Sequence, residues 1–329
     1  VNGEGGTDTL IVNYSTLSAD IARWDIGYGW NRIGDRDGLS HYTDFAGFER
    51  FDVTGGSGND NFGGGDDNDI LAGNAGNDWL NSGGGLGIDV VHGGIGSDTW
   101  QFDFSGFVST SVNIATDNAV VSTGHTVTGI ERLHGTFGIG NDTVVARAGG
   151  SSDSVWLGDG DDSFSSGRGR DYAHGGGGQD LLIMNGSGET RGITWADTGY
   201  GWQRYATAAN QIDYYSFERF QIFGGTGDDD LRGGSLTDTL VGGAGNDTLR
   251  SGTGDAQING GTGTDFWEAD LSAEVASVAI NLAASQTTAQ GTAAGLNIRG
   301  IERVSLTTGA AGDNINAAGY AENDWVNLR

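Results

Sequence analysis

The stretch GGSGNDNFGGGDDNDILAGNAGNDWLN at residues 55–81 decides the fold of this chain. It consists of three consecutive nonapeptides, and two further copies follow at residues 84–101 after a two-residue insertion. All five follow the template G-G-x-G-x-D-x-U-x, in which U is apolar, apart from Asp67 at a fourth position and Asn74 at a second position. A short period of this kind is typical of a solenoid, in which each repeat packs mainly on its neighbours.

The aspartate at the sixth position recurs in three blocks and in partial copies at both ends of the chain. The blocks carry Asp60, Asp69, Asp78, Asp89 and Asp98, then Asp142, Asp153, Asp162, Asp171 and Asp180, then Asp229, Asp238, Asp247 and Asp265, and the partial copies carry Asp8, Asp313 and Asp324. More than a dozen copies in phase are not chance.

The spacing predicts a loop followed by a short strand. Glycines at the first, second and fourth positions permit φ > 0 and a close approach of backbone carbonyls. After the Asp, three residues are extended, and only the middle one, such as Phe62 or Leu80, faces inward. Two nonapeptides make one turn of a parallel coil, so pairs such as Asp60 with Asp78, or Asp229 with Asp247, are expected to face a common ion.

Numerous hard oxygen ligands select Ca²⁺, and we expect on the order of ten ions. The glycines predicted to contribute to these sites are Gly56, Gly58, Gly76, Gly94, Gly96, Gly160, Gly176, Gly178, Gly225, Gly227, Gly243, Gly245, Gly261 and Gly263. Some loops depart from the template. Ala256 stands at a ligand position with Asp255 one place early, and the fourth glycine is replaced by Asp67, Ser151, Leu236, Ala311 and Glu322.

The nonapeptides resemble the RTX (repeats-in-toxin, haemolysin-type) calcium-binding family, and they cover roughly half of the chain. The resemblance implies an all-β fold, a parallel β-roll that is disordered at low calcium. It also implies type I secretion from a Gram-negative bacterium and folding outside the cell.

Composition agrees with a cation-dependent fold. The 329 residues include 63 Gly and neither Pro nor Cys, which excludes collagen and disulfide scaffolds. The formal net charge of -28 excludes a nucleic-acid partner, which requires a basic face, and has to be neutralised by cations in a folded chain. No apolar run reaches the ~18 residues of a transmembrane segment. The start at Val1 and the last residues suggest a processed form or a fragment.

A larger duplication organises the blocks. GYGWNR (27–32) recurs as GYGWQR (199–204), and GIERL (129–133) as GIERV (300–304), at offsets of 172 and 171 residues. We therefore expect a β-solenoid made by tandem duplication of a unit of ~170 residues. Its predicted segments are calcium rolls at 55–101, 137–183 and 224–268, β-rich inserts at 12–54, 102–136, 184–223 and 269–307, and partial rolls at 1–11 and 308–329.

Aromatic and charged residues of the inserts have two interpretations. Tyr28 and Trp30, with Tyr200 and Trp202, are predicted to alternate along a strand, where they either cover the solenoid flank or form a stacking platform for sugar rings. Arg32 and Arg204, with Glu49, Arg50, Glu218 and Arg219, form ion pairs between adjacent coils or contact an acidic glycan. The histidines His41, His92, His125, His134 and His174 show no metal-ligand spacing.

The sequence therefore favours a non-enzymatic, secreted calcium-binding protein. We expect a rod, filament, surface-layer or adhesin segment that self-associates or continues into neighbouring repeats. One alternative is a polysaccharide-binding calcium module. Another is the secretion and folding region of a larger enzyme or toxin.

Overall fold

The computed structural model describes residues 1–36, 40–207, 209–252, 256–272, 279–281, 296–310, 312–316 and 325–328. Within these ranges every regular element is a β-strand. The chain forms two compact units, Val1–Gly178 and Gln179–Arg329. The part of the chain that is described contains no helix long and apolar enough to cross a membrane.

The described part of the first unit contains eighteen strands, most of them three to six residues long. They are β1 Thr9–Asn13, β2 Ile21–Gly27, β3 Trp30–Asp35, β4 Tyr42–Phe45, β5 Arg50–Thr54, β6 Asn61–Gly63, β7 Ile70–Ala75, β8 Trp79–Asn81, β9 Val90–Ile95, β10 Thr99–Asp103, β11 Ser111–Asn113, β12 Val120–Val121, β13 Thr126–Thr128, β14 Arg132–Thr136, β15 Thr143–Val145, β16 Ser154–Asp159, β17 Ser163–Ser165 and β18 Arg170–Gly177.

These strands form three sheets, and the roll strands in them are parallel. One sheet has the order β1-β5-β7-β9-β13, another runs from β18 through β16, β14, β10, β8 and β6 to β2, β3 and β4, and the third has the order β12-β11-β15-β17. Asn61 pairs with Trp79, eighteen residues later along the chain. Thr99 pairs with Trp79 across the two-residue insertion. One coil therefore consists of two nonapeptides, which confirms the predicted parallel β-roll.

The second unit contains the remaining strands of the described chain. They are β19 Leu181–Asn185, β20 Thr194–Gly199, β21 Trp202–Ala206, β22 Gln211–Tyr215, β23 Arg219–Phe223, β24 Asp230–Arg232, β25 Asp238–Ala244, β26 Thr248–Ser251, β27 Ala256–Thr262, β28 Phe266–Leu271, β29 Ala279–Asn281, β30 Asn297–Arg299, β31 Arg303–Thr308, β32 Asn314–Asn316 and β33 Trp325–Leu328.

Its roll strands are again parallel. One sheet has the order β19-β23-β25-β27-β30 and another the order β24-β26-β28-β31-β33, while β29 pairs with β32. An antiparallel β20-β21-β22 meander comes from the insert that precedes β23. Strand Ala256–Thr262 aligns Ala256 with Asp238, so the alanine takes the place of a loop carboxylate.

The core is a ladder of single apolar residues from successive coils. Phe62, Leu80 and Trp100 align in register and are at most 2 % exposed. Leu231, Leu249 and Trp267 form the corresponding column in the second unit. Full burial of one such side chain contributes about 1.5 to 3 kcal/mol. With one inward residue per nonapeptide, this core is thin.

The inserts combine two arrangements. Residues 126–136 supply β13 and β14, which pair in parallel with roll strands and widen the coil. In contrast, β2, β3 and β4 form an antiparallel meander, of which only β2 pairs with a roll strand. Strands of the inserts therefore occur both in wider coils and in small sheets.

Two expectations about insert side chains are wrong. Tyr28 and Tyr200 do not lie on a strand with the following tryptophan; they are fully exposed in the turns after β2 and β20, at φ of 57° and 54°. A Gly-Tyr-Gly sequence favours this tight turn because glycine accepts φ > 0 without strain. The partner of Arg32 is Asp44 at 2.5 Å, on the neighbouring strand of the same meander rather than on an adjacent coil.

Candidate calcium sites

The repeat aspartates all lie immediately before or at the start of a strand, and their carboxylates are turned inward. The fourteen members of the three blocks, from Asp60 to Asp265, are at most 3 % exposed. Aspartate is almost never buried to this extent without a partner, because a dehydrated carboxylate is costly. The structure therefore has to satisfy each of these carboxylates.

The first carboxylate oxygen joins consecutive coils. The N–H of Asp60 donates to Oδ1 of Asp78 at 2.8 Å, and the N–H of Asp78 donates to Oδ1 of Asp98 at 2.8 Å. The same arrangement links Asp229 to Asp247 and Asp247 to Asp265, each at 2.8 Å. The aspartates thus form ladders along each unit, and the predicted stacking of Asp60 on Asp78 is present.

The second carboxylate oxygen divides the loops into two classes. In the closed loops, which contain Asp60, Asp69, Asp229 and Asp238, Oδ2 accepts the N–H of the loop's own second glycine at 2.7 to 2.9 Å. In the open loops, which contain Asp78, Asp98, Asp142, Asp153, Asp247 and Asp265, Oδ2 is buried without a hydrogen-bond partner among the described residues. A buried oxygen of this kind costs several kcal/mol unless a cation or a proton satisfies it.

Backbone conformation separates the same two classes. Gly94 and Gly96 of one open loop have φ of 116° and 153°, and Gly243 and Gly245 of another have φ of 110° and 126°. Gly160, Gly176, Gly178, Gly261 and Gly263 are also at positive φ, and so is Gly76. The N–H of Gly245, the fourth glycine, donates to the carbonyl of Thr262 at 2.9 Å, and no described group donates a hydrogen bond to Oδ2 of Asp247.

Some glycines do not adopt the predicted conformation. Gly56, Gly58, Gly225 and Gly227, in closed loops, are not at positive φ, because the second glycine has to point its N–H at the carboxylate. The first glycine of each nonapeptide is not at positive φ either. Glycine is required at this position because there is no room for a side chain. A Cβ at Gly55 would overlap Oδ2 of Asp60, and a Cβ at Gly73 would overlap Oδ2 of Asp78.

Loop glycines also set the distance between coils. A Cβ at Gly96 would overlap the carbonyl oxygen of Gly76, and a Cβ at Gly263 would overlap that of Gly245. The carbonyls of successive loops therefore stack along the same edge as the carboxylates. Within the described residues, no three His, Cys, Asp or Glu side chains lie together in a way that would hold a metal. Carbonyl oxygens would supply the remaining ligands beside each open-loop carboxylate.

Burial raises the pKa of the open-loop carboxylates towards neutrality. The pKa of Asp78 is raised to about 7, mainly by burial and secondarily by Asp60 and Asp98. Burial also raises the pKa of Asp247 to about 7 and those of Asp98 and Asp265 to about 6. A carboxylate with these properties binds either a proton or a metal ion. Oxygen ligands, negative charge and glycine cradles together fit Ca²⁺.

A second ladder was not predicted. In several loops the side chain of the residue before the Asp accepts the N–H of its counterpart in the next coil. Asn59 accepts from Asn77 at 2.7 Å, and Asn77 accepts from Ser97 at 2.8 Å. Asn246 accepts from Thr264 at 3.0 Å in the same way. The frequent Asn or Asp at the fifth position of the nonapeptide is the signal that could have indicated this ladder.

His125 also has a role that the sequence did not indicate. It is buried, its Nε2 lies 3.2 Å from Oδ2 of Asp89, and its Nδ1 lies 2.6 Å from Oγ1 of Thr123. The following N–H, that of Thr126, donates to the carbonyl of Asp89 at 2.9 Å. His125, which belongs to an insert, thus contacts Oδ2 of Asp89. This is the oxygen that has no partner in the open loops.

The remaining predicted ligands lie at the edges of the blocks. Asp8 is half-buried before β1, with Oδ2 unpartnered in the described part of the unit. Asp313 precedes β32. Asp324 and Asp255 lie outside the described residues. Asp162, Asp171 and Asp180 occupy the same loop position as the others and are at most 2 % exposed.

Comparison with known proteins agrees with this geometry. The family model of the RTX calcium-binding nonapeptide repeat matches residues 54–87, 84–99, 138–172, 147–182, 221–240 and 232–266. A search of curated proteins found no match. The matched stretches contain both the closed and the open loops. The chain is therefore a member of the RTX calcium-binding nonapeptide repeat family.

Proposed function

We propose that this chain is a non-enzymatic, extracellular structural element that calcium makes rigid, as a segment of a rod, filament, surface layer or adhesin exported by type I secretion. The observation that carries the proposal is the aspartate ladder. Each carboxylate joins its own coil to the next through Oδ1, and the open loops present Oδ2 to a cation. Calcium bound at one coil therefore stabilises its neighbours.

The energetics favour a switch between compartments. If each site has a Kd near 10⁻⁴ M, typical of extracellular calcium modules, cytosolic calcium leaves it empty. At a hundredfold excess over Kd, each ion adds about 2.7 kcal/mol to the stability of the fold. Several open loops together outweigh the typical net stability of a domain, about 5 to 15 kcal/mol. A chain built this way stays unfolded during export and becomes stiff outside.

Small-angle X-ray scattering with and without calcium tests this proposal. In chelator, an unfolded chain of 329 residues has a radius of gyration of about 65 Å. In millimolar calcium, a rod keeps a radius well above the ~20 Å of a compact globule of this length and gives the linear cross-section plot of a rod. A calcium-loaded radius near 20 Å would contradict the structural role.

The repeat carboxylates are buried and bonded to backbone N–H groups, which commits them to the fold rather than to a substrate. This supports the non-enzymatic assignment. Secretion is testable by following the full-length protein in culture supernatants of cells with and without the type I exporter. Retention of the protein inside wild-type cells would contradict export.

A polysaccharide-binding module is the second candidate, and a cleft in the second unit favours it. The cleft, of about 700 Å³, is lined by Trp195, Tyr214, Arg232, Arg250 and Glu268 among others. The guanidinium of Arg232 lies 4.5 Å from the centre of the Trp195 ring. Aromatic rings beside arginines are the groups that bind the faces and carboxylates of acidic sugars.

Calorimetry of the calcium-loaded protein with oligouronates tests this second function. Trp195→Ala should abolish binding, whereas Tyr200→Ala, an exposed aromatic residue outside the cleft lining, should leave it unchanged. Absence of binding by the wild type would exclude acidic glycans. Equal loss in both variants would place the binding surface elsewhere.

A further inference from the structure

A glutamate-arginine pair follows an apolar residue at four places in the inserts. These tripeptides are Phe48-Glu49-Arg50, Ile130-Glu131-Arg132, Phe217-Glu218-Arg219 and Ile301-Glu302-Arg303. Each comes at the start of the strand that stacks on the coil of a terminal repeat aspartate: Asp8, Asp98, Asp180 and Asp265, respectively. None of the four glutamates belongs to a nonapeptide.

The glutamate occupies the place of the next aspartate in the ladder. Oε2 of Glu302 accepts the N–H of Asp265 at 2.7 Å, which is the bond that Oδ1 of Asp265 makes with the N–H of Asp247 at 2.8 Å. The backbone N–H groups of Glu302 and Arg303 both donate to the carbonyl of Asp265, at 3.1 and 2.9 Å. The glutamate is thus held rigidly against the last open loop.

The carboxylates of Asp265 and Glu302 are not neutralised by any side chain among the described residues. Asp265 is fully buried, and its Oδ2 lacks a hydrogen-bond partner there. The second oxygen of Glu302 has no ion pair in the same part of the chain. The neighbouring Arg303 lies over the ring of Phe266, at 5.6 Å from its centre. The buried carboxylate of Asp265 and the half-buried carboxylate of Glu302 repel each other unless a cation lies between them.

The corresponding pair in the first unit shows how such a carboxylate is neutralised without a metal. Oε2 of Glu131 accepts the N–H of Asp98 at 2.9 Å, as in the second unit. Its Oε1, however, lies 3.2 Å from Nη1 of Arg147. In this pair a guanidinium supplies the positive charge that the Asp265–Glu302 pair lacks.

We propose that Glu302 is a calcium ligand, which shares a terminal ion with Asp265 and completes the last site of its ladder. On Glu131, the guanidinium of Arg147 makes the contact that the calcium ion makes on Glu302. The proposal rests on calcium binding by the repeats and is independent of the structural or glycan-binding role of the chain. It adds to the nonapeptide a ligand that lies 37 residues beyond the aspartate in sequence.

The electrostatics agree with this assignment. The pKa of Asp265 is raised to about 6, mainly by burial and secondarily by Glu302 and Asp228. A divalent ion between the two carboxylates removes both their repulsion and the cost of burying the Asp265 charge. Glutamate at the end of a calcium loop supplies a charged oxygen, and affinity in such sites depends on the number of charged ligands.

The test compares Glu302→Gln with Glu131→Gln by isothermal titration with Ca²⁺. Glutamine keeps an oxygen that accepts the aspartate N–H, so both variants retain the backbone cap. Glu302→Gln should bind one ion fewer, or bind its weakest ion about tenfold more weakly. Glu131→Gln, whose oxygen is already paired with Arg147, should bind as the wild type does. Unchanged binding by a folded Glu302→Gln variant would overturn the proposal.

A second variant decides the question if Glu302→Gln does not regain the wild-type circular dichroism spectrum in saturating calcium. Arg147→Met exposes Oε1 of Glu131 to the Asp98 loop and should strengthen one calcium site about tenfold. Unchanged calcium binding by Arg147→Met would then refute the role of the glutamates as ligands. If the wild type bound no calcium at all, the repeat sites themselves would be refuted. That outcome differs from unchanged binding in either variant, which refutes only the role of the glutamates.

Discussion

Asparagine substitution at two stacked aspartates should separate their roles, because Asp78 is in an open loop and Asp60 in the closed loop below it. In Asp78→Asn, the amide oxygen can still accept the N–H of Asp60, and the NH₂ group replaces the unpartnered Oδ2. In Asp60→Asn, one of the N–H groups of Ile21 and Gly56, which now donate at 2.7 and 2.8 Å, would face an NH₂ donor. We therefore expect Asp78→Asn to lose calcium and Asp60→Asn to keep it.

The magnitudes follow from the partners of each oxygen. A pKa raised from 3.8 to about 7 means that burying ionised Asp78 at pH 8 costs the metal-free fold up to about 4 kcal/mol. Asparagine removes this cost, but it also removes at least one ion, which is worth about 2.7 kcal/mol at a hundredfold excess over Kd. The donor conflict in Asp60→Asn costs about 1 to 3 kcal/mol with and without calcium. It offsets the roughly 3 kcal/mol gained at pH 8 by removing a carboxylate whose pKa burial raises to about 6.

Calorimetric stoichiometry and circular dichroism against free calcium distinguish the two variants. Asp78→Asn should bind at least one ion fewer than the wild type, and its folding should depend less steeply on calcium. Asp60→Asn should bind the wild-type number of ions with a calcium midpoint close to that of the wild type. If Asp60→Asn loses an ion while Asp78→Asn keeps all of them, the division into open and closed loops is wrong.

Three further predictions concern the whole fold. In EGTA at pH 8 the chain should lose its β-sheet signal, and it should regain the signal in millimolar Ca²⁺. The reason is that the unpartnered carboxylates of the open loops destabilise the metal-free fold. A circular dichroism spectrum that EGTA leaves unchanged would contradict this. Metal-free protein should be more folded at pH 5 than at pH 8, as measured by its β-sheet signal in circular dichroism. The folded pKa values of Asp78 and Asp247, about 7, lie above the ordinary value of 3.8, so the fold binds more protons than the unfolded chain and loses stability as the pH rises from about 4 to 7. A stronger β-sheet signal of the metal-free protein at pH 8 than at pH 5 would refute that sign. In calcium, Gly96→Ala should lower the free energy of unfolding by at least about 2 kcal/mol, since the residue is at φ 153° and its Cβ would overlap Gly76. The control Gly5→Ala, whose Cβ meets nothing within 4 Å, should leave the Tm unchanged. Equal Tm values for the two variants would contradict the close stacking of the coils.

The glutamates at the ends of the ladders give the inserts a defined role. Residues between two roll blocks have to leave the coil and return in register, and Glu131 and Glu302 show how they return. In both cases the glutamate makes the bond that the next aspartate would have made. The ladder is thus continuous from a nonapeptide into an insert that has no nonapeptide sequence.

Much of the fold was predictable because the repeat acts locally. A nine-residue period with one apolar position predicts a short strand with one inward side chain, as Phe62 and Leu80 show. Pairing of Asn61 with Trp79 then follows from two strands per coil. In the inserts, prediction was weaker. The partner of Arg32 and the turn position of Tyr28 depend on antiparallel pairing, which a parallel repeat does not indicate.

The sequence by itself determined the coil, the aspartate positions and the need for many oxygen-binding cations, since all three repeat every nine residues. Only the tertiary structure decided which carboxylates are available to an ion. Asp229 and Asp247 end loops of nearly the same sequence, yet the N–H of Gly225 satisfies Oδ2 of Asp229, whereas Oδ2 of Asp247 has no hydrogen-bond partner among the described residues. The reason is that each loop's conformation depends on the coil stacked against it. At Asp265, that stacked coil includes Glu302, which lies 37 residues later in the sequence.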